Sequence, residues 1–339
     1  MKGYIMSQPK ITIVTPSFNQ GQYLESTICS ILNQNYSNLE YIIIDGGSTD
    51  NSINIIKKYE KYIKYWVSEK DGGQSEAINK GLRMSKGEIV TWINSDDLLQ
   101  TKILQKIPSF FQDNNTGLIF GKSVSFGDKI LEKTSRSDFQ DQKEKILASV
   151  AFPQPASFFR RKVLDRHGFL DESLHFGMDY DLFVRIALNY EIKSINEVVS
   201  WNRYHSASKT MSMPFSFALD WARVFSRLLR SFDFTSEIIA DLKSLKIYDN
   251  GVDCYKVENF FTKSDITKAY VYFLQEQAQF YYGAFKLKEA RDIVIRIKYW
   301  DPKIYSMYNL NDICNRSTYF PVEVLKFLKY FKSKLHIHN

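Results

Sequence analysis

Through residue 97 the chain alternates short β-branched runs with amphipathic stretches. Residues 10–15 predict a strand that ends at Pro16, Ser17, Phe18 and Asn19, after which Leu24, Ile28, Ile31 and Leu32 recur at helical spacing. A second strand over 39–44 runs into Asp45, Gly46, Gly47, Ser48, Thr49 and Asp50. Ser48 or Asp50 is placed to cap the helix that carries Ile53 and Ile56 inward. Tyr65, Trp66 and Val67 form a third strand, followed by a Glu69–Ser75 loop and a helix with Ile78 and Leu82 on one face. A fourth strand, 88–93, stops at Asn94, Ser95, Asp96 and Asp97. Four β-α repeats predict a parallel sheet with helices on both faces. The polar loops then converge at the carboxyl ends of the strands, where open α/β sheets bind ligands.

Farther along, residues 102–111 predict a helix, and 118–124 and 129–133 predict strands flanking a turn at Gly127 and Asp128. Phe158 and Phe159 read equally as a buried strand or as a border of a binding site. A strand over 192–201 leads into a loop with Arg203, His205 and Lys209. Beyond residue 211 the strand pattern gives way to helices at 217–229, 238–245, 269–282 and 287–297. The last two are spaced like a tetratricopeptide-type hairpin joined at Gly283, within a packed helical subdomain. At the end, Val324, Leu325, Leu328, Phe331 and Leu335 share a face ringed by Lys326, Lys329, Lys332 and Lys334. Such a basic amphipathic helix either lies on an anionic membrane surface or packs on its own domain. The division expected is residues 8–210 and a helical region, 211–339.

Composition narrows the class. With 339 residues, 44% hydrophobic and 24% charged, the chain is long enough for one large domain and a smaller one. A net charge of +7 suits anionic ligands without implying nucleic acid. Cys29, Cys254 and Cys314 lack metal-ligand spacing and read as reduced thiols. No signal-peptide pattern opens the sequence, and no apolar run approaches the roughly 20 residues needed to span a bilayer. These features point to the cytoplasm, with peripheral contact at the inner face of the membrane through 322–339 as an option.

The densest chemistry is Asp96-Asp97 at the end of the fourth strand. Adjacent carboxylates there repel unless a cation or hydrogen-bond donors neutralise them. A divalent ion shared with a phosphate is one occupant, and a solvated turn capping a helix near Thr101 is the other reading. Asp71-Gly72-Gly73 before a helix offers free amide groups to an anion, or simply a tight turn. Neither Gly-x-Gly-x-x-Gly after the first strand nor Gly-x-x-x-x-Gly-Lys-Ser/Thr occurs, which argues against a Rossmann dehydrogenase or a P-loop NTPase. Asp179, near the first turn of a helix carrying Leu182 and Ile186, is favoured there by the helix dipole as an amino-terminal cap.

Four segments together carry a resemblance: Ile-Thr-Ile-Val-Thr-Pro-Ser-Phe-Asn over 11–19, Ile-Ile-Ile-Asp-Gly-Gly-Ser-Thr-Asp over 42–50, Asn79-Lys80-Gly81, and Asn94-Ser95-Asp96-Asp97. Over about 8–210 the sequence resembles a family 2 glycosyltransferase of the GT-A fold, with a carboxy-terminal α-helical extension added. The resemblance implies an inverting transfer from a nucleotide-sugar donor (UDP-, GDP- or dTDP-linked) to a glycan or lipid-linked acceptor in surface polysaccharide assembly. It further implies Mn²⁺ or Mg²⁺ and no nucleic acid. Under it, Pro16, Phe18, Asp45, Asp71 and Gln74 fall at the nucleoside, Arg203 and Lys209 at the diphosphate, and Asp96 at the ribose or sugar. Asp97, with Asp96 and His205, falls at the metal. Asp179 falls at the general base, with Asp181 second. Two positions depart from the family pattern. Gly46 replaces the second aspartate of Asp-Asp-Gly-Ser, and Met178 replaces the glutamate before the base. These departures keep open a non-catalytic glycan- or partner-binding protein on the same fold. A sugar-phosphate nucleotidyltransferase would need a glycine-rich basic loop after the first strand, which 16–20 lacks.

Overall fold

The computed structural model describes residues 8–127, 133–135, 143–205, 214–307, 310–319, 322–323 and 325–326. Contacts divide the chain into two compact units. The first comprises 1–141 and 152–204, and the second 142–151 and 205–339.

The first unit is built on a nine-stranded sheet. Strands β1 (Ile11–Ser17), β2 (Leu39–Asp45), β3 (Tyr65–Ser68) and β4 (Ile89–Trp92) lie in the order β3-β2-β1-β4, all parallel. Helices α1 (Gly21–Leu32), α2 (Ser52–Tyr59) and α3 (Gln74–Met84) connect them. Ile11, Ile13, Leu24, Ile28, Ile31, Ile43 and Ile56 lock into one core, so the apolar periodicity of strand and helix meets in a single layer. The approach of α3 to the sheet is tight. A Cβ at Gly81 would collide with the Val14 side chain. Asn79, buried in the same helix, exchanges hydrogen bonds with Leu170, its Nδ2 donating to the carbonyl and its Oδ1 accepting the N–H at 2.9 Å each.

Past β4 the sheet becomes mixed. The short β5 is Leu98–Leu99 and the long β6 is Thr116–Gly127, which also pairs with β7 (Lys133–Thr134). Strand β8 (Ser157–Arg160) inserts between β4 and β6, antiparallel to both, and β9 (Glu191–Tyr204) runs parallel to β6 and antiparallel to β5. Phe158 and Phe159 are therefore buried strand residues. Helices α5 (Arg161–His167) and α6 (Met178–Ala187) follow β8. Residues 102–111 do not form the expected helix. Lys102 takes φ 59°, and the stretch turns into a short 3₁₀ helix, Ile107–Phe111, with Pro108 in its first turn. A proline lacks the N–H a longer helix would need. Consequently no α-helix follows Asp97 to be capped. Arg203, expected in a loop, is still paired within β9, opposite Phe126.

The second unit begins with α4 (Lys143–Ala148) and continues with α7 (Pro214–Arg230), α8 (Ser236–Ser244), α9 (Lys263–Gly283), α10 (Leu287–Trp300), α11 (Pro302–Met307) and α12 (Asn311–Tyr319). The expected α9–α10 hairpin is present. Thr262 and Asp265 form a reciprocal capping box at the start of α9. Asp241 of α8 collects Tyr270 Oη and Trp300 Nε1 at 2.8 Å each and the Arg296 guanidinium at 3.0 Å, tying three helices together. Of the terminal stretch 322–339 only four residues are described. Leu325 is buried, and Lys326 Nζ lies 5.6 Å from the Phe285 ring centroid. None of the described helices is long and apolar enough to cross a membrane.

Candidate active site

Four loops leave the carboxyl ends of β1 to β4 on one rim, and hydrogen bonds stitch them together. Pro16 can sit in a sheet-centre strand because β1 has already lost its β4 partner there. Register with β4 ends at Val14, and only β2 continues alongside. Phe18, next on the rim, is 60% exposed. Asn19 donates its N–H to Ser48 Oγ at 2.8 Å, and its Oδ1 accepts the Thr49 N–H at 2.9 Å. Asp50 accepts the N–H of Gly21 at 2.8 Å. The Oγ of Ser17, 4% exposed, has no hydrogen-bond partner among the described residues.

Asp45 is fully buried, and four donors take up its oxygens: the N–H groups of Gly47 and Ser48 and the hydroxyls of Ser48 and Ser68, at 2.6–3.1 Å. It shapes the second loop from within. Gly46 faces the third loop. A Cβ there would lie 2.9 Å from Oδ2 of Asp71, whose Oδ1 accepts the Gly73 N–H at 2.9 Å. Burial pushes the Asp71 carboxyl above its ordinary value, and the nearby Glu76 and Asp45 charges add to the rise.

Asp97 is 1% exposed. Its Oδ1 accepts Nδ2 of Asn202 at 3.1 Å and the Arg203 N–H at 3.0 Å, and its Oδ2 accepts Nδ2 of Asn94 at 3.1 Å. Thr27 Oγ1 of α1 holds this loop from below through the carbonyls of Ser95 and Asp97. Burial, then the neighbouring Asp96 charge, pushes the Asp97 carboxyl up to about 8. Arg203 anchors the end of β9. Its guanidinium lies between the rings of Tyr23 and Phe126, 4.7 and 4.4 Å from their centroids, and Nε donates to the Asp96 carbonyl at 3.1 Å.

The same rim reaches α6. Gln74 Nε2 donates to Asn94 Oδ1 at 2.8 Å, and the adjacent Ser75 donates its hydroxyl to Met178 Sδ at 2.8 Å. Met178 opens α6, with Asp179 in its first turn, half-buried, its Oδ1 accepting the Tyr180 N–H at 2.8 Å. Asp181 is committed elsewhere. It is buried in an ion pair with Arg185 at 2.7 Å, and that guanidinium also donates to the carbonyls of His167, Gly168 and Phe169.

The structure thus gathers Pro16, Phe18, Asp45, Asp71, Gln74, Asp96, Asp97, Arg203 and Asp179 within the first unit. His205 is buried and falls in the second unit, and Lys209 lies outside the described residues. Among the described residues no three His, Cys, Asp or Glu side chains cluster as a ready-made metal site. The donor set nevertheless fits a hard divalent cation. Mg²⁺-like ions are commonly held by one or two carboxylates plus substrate phosphates, and a buried carboxylate already strained by its neighbour is relieved by such a charge. Sequence reasoning missed Asn202, which positions Asp97, and Ser68, which closes on Asp45. Their signal is pairing between segments far apart in the chain, whereas Asn94 lies in the quoted motif and reaches Asp97 from three residues away.

Residues 12–177 match the profile described as Glycosyl transferase family 2. An uncharacterised glycosyltransferase of Rickettsia prowazekii, RP339, is 31% identical over 224 residues, 62% of this chain and 68% of that protein. Poly(ribitol-phosphate) β-N-acetylglucosaminyltransferase TarP of Staphylococcus aureus is 40% identical over 118 residues, 33% of this chain and 36% of TarP. The chain thus spans little more than a third of TarP's length. Among solved structures, S. aureus TarS 1–349 with UDP-GlcNAc superposes with TM-score 0.55 at 15% identity, covering 91% of each chain. Mannosyltransferase PcManGT of Pyrobaculum calidifontis, in complex with GDP-Man and Mn²⁺, superposes with TM-score 0.57 at 16% identity, covering 96% of this chain and 85% of that one. The mixed sheet with its converging loops is that of the GT-A glycosyltransferases, and the chain belongs to glycosyl transferase family 2.

Proposed function

We propose that this chain is an inverting glycosyltransferase, moving one sugar from a nucleoside diphosphate donor to a hydroxyl of a glycan or lipid-linked acceptor during surface polysaccharide assembly. One observation carries the reading. Contacts run without a break from Asp97 through Asn94 and Gln74 to Ser75 and Met178, linking the buried acidic loop to the helix start that bears Asp179. TarP's named activity on poly(ribitol-phosphate) supports the setting.

In this reading the exposed ring of Phe18, beside Pro16, offers a face to the base, and the loop shaped by Asp45 meets the nucleoside along with Asp71 and Gln74. Arg203, held between two rings, lies at the diphosphate. Asp96 and Asp97 would hold Mn²⁺ or Mg²⁺. When bound, the ion supplies Lewis-acid stabilisation of the leaving group. Asp179 takes the proton of the acceptor hydroxyl. The hydroxyl oxygen bonds to the anomeric carbon as the bond to the diphosphate oxygen breaks, which inverts that carbon. The buried Leu325 and the Lys326–Phe285 contact support packing of the start of 322–339 on its own unit.

Thermal unfolding with UDP, GDP and dTDP, each with and without Mn²⁺, tests this function. One nucleotide is expected to raise Tm only when Mn²⁺ is present, since ligand at 100 times Kd adds roughly 2.7 kcal/mol. No shift with any nucleotide would favour a non-catalytic binding protein on this fold.

A further inference from the structure

We infer that Asn79 of α3 is a positioning residue for Asp179, fixing the register of the irregular 168–177 strap from which α6 and that carboxylate emerge. This role rests on the reading of Asp179 as proton acceptor and names the side chain that sets its place.

Strap and helix meet along one face of α3. Ser75, Asn79 and Arg83 recur every fourth residue, which puts them on one stripe, and each reaches the strap. The Arg83 guanidinium lies 5.3 Å from the Phe169 ring centroid and 3.3 Å from Glu172 Oε1. Asn79 is fully buried. It holds both backbone groups of Leu170 at 2.9 Å, and its Nδ2 also donates to Glu172 Oε1 at 2.8 Å. Ser75 Oγ lies 3.5 Å from the Leu174 carbonyl oxygen and 2.8 Å from Sδ of Met178, the residue before Asp179. The helix itself is pinned to the sheet at Gly81, where a Cβ would meet Val14. From the other side, Arg185 of α6 grips the carbonyls of His167, Gly168 and Phe169.

Directionality decides which of these contacts sets the register. Leu170 and Leu174 are buried, but apolar burial is non-directional and fixes depth rather than position along the helix. Arg83 is half-exposed on a long side chain that follows the strap. The Met178 thioether is a weak acceptor on a flexible stem. The Asn79 amide instead matches one donor and one acceptor of a single residue, so a slip of the strap breaks both bonds at once. A base must come within about 2.6–3.2 Å of the proton it takes, and a shift of about 1 Å can cost about 10²-fold in rate.

The test follows nucleoside diphosphate released by the full chain from UDP-GlcNAc, GDP-mannose and dTDP-glucose with Mn²⁺, water standing in for the acceptor hydroxyl. Calorimetry with UDP, GDP and dTDP gives Kd, and its stoichiometry counts the folded sites. Asn79→Ala is expected to keep Kd within about twofold while turnover per binding site falls by about 10–10²-fold. Asn79→Asp keeps the acceptor for the Leu170 N–H and loses the donor. It should lose less, and it carries the same comparison where Asn79→Ala gives no binding sites. Added to Asp179→Asn, either substitution should cost no more than about a further twofold, because a residue acting through Asp179 then has nothing left to place. An Asn79 that only supports the fold would lower the number of binding sites and leave turnover per site unchanged. That result, or an undiminished further loss in the Asp179→Asn background, overturns this inference while leaving Asp179 as the base. A wild type that turns over none of the conjugates, or an Asp179→Asn variant at the wild-type rate, removes the base reading and the role of Asn79 together.

Discussion

At the residue scale, Asp179 and Asp181 sit two positions apart and do different things. Asp181 is buried against the Arg185 guanidinium, which also fastens the 167–169 backbone, so its charge is spent on architecture. Asp181→Ala is expected to cost about 3–5 kcal/mol in urea unfolding, because it strands a buried guanidinium. A loss below about 1 kcal/mol would mean the pair is dispensable. Sequence showed both aspartates at the start of a helix, and the resemblance ranked Asp179 first, but only the fold reveals why Asp181 is unsuited to take a proton. Asp45 carries a similar lesson. Its motif was readable, whereas its saturation depends on Ser68, 23 residues away on the next strand.

At the element scale, the first four strands, their helices and the rim were legible because period-2 and period-3.6 patterns alternate cleanly and βαβ connections fix a parallel order. The rest of the sheet was not. Strand β8 is a four-residue apolar run, and nothing in such a run states that it will pair antiparallel between β4 and β6. Residues 102–111 misled through apolar spacing alone, with Pro108 overriding it. The packing of α3 on β1 gives a sharp prediction. Gly81→Ala should destabilise by about 1–3 kcal/mol through overpacking against Val14. Gly283→Ala, at the end of α9 with nothing within 4 Å of the new methyl, should be neutral or stabilising by up to about 1 kcal/mol. Equal melting shifts for the two would refute the close approach.

At the scale of the whole molecule, the division of labour is between a rim that carries every described acidic and aromatic group assigned to the donor, and a helical unit whose polar residues, such as Asp241, hold its own helices together. Residues 142–151 group with that helical unit, although their place in the chain lies between parts of the first. The central claim is that one rim separates two acidic duties, holding the donor and accepting a proton. The measurement that tests it most directly compares Asp179→Asn with wild type for Mn²⁺-dependent binding of the nucleotide that stabilises the protein, and for turnover of its sugar conjugate. The account predicts binding within about twofold of wild type and turnover lower by about 10²–10⁴-fold. Turnover at the wild-type rate, or binding lost in step with turnover, would contradict it.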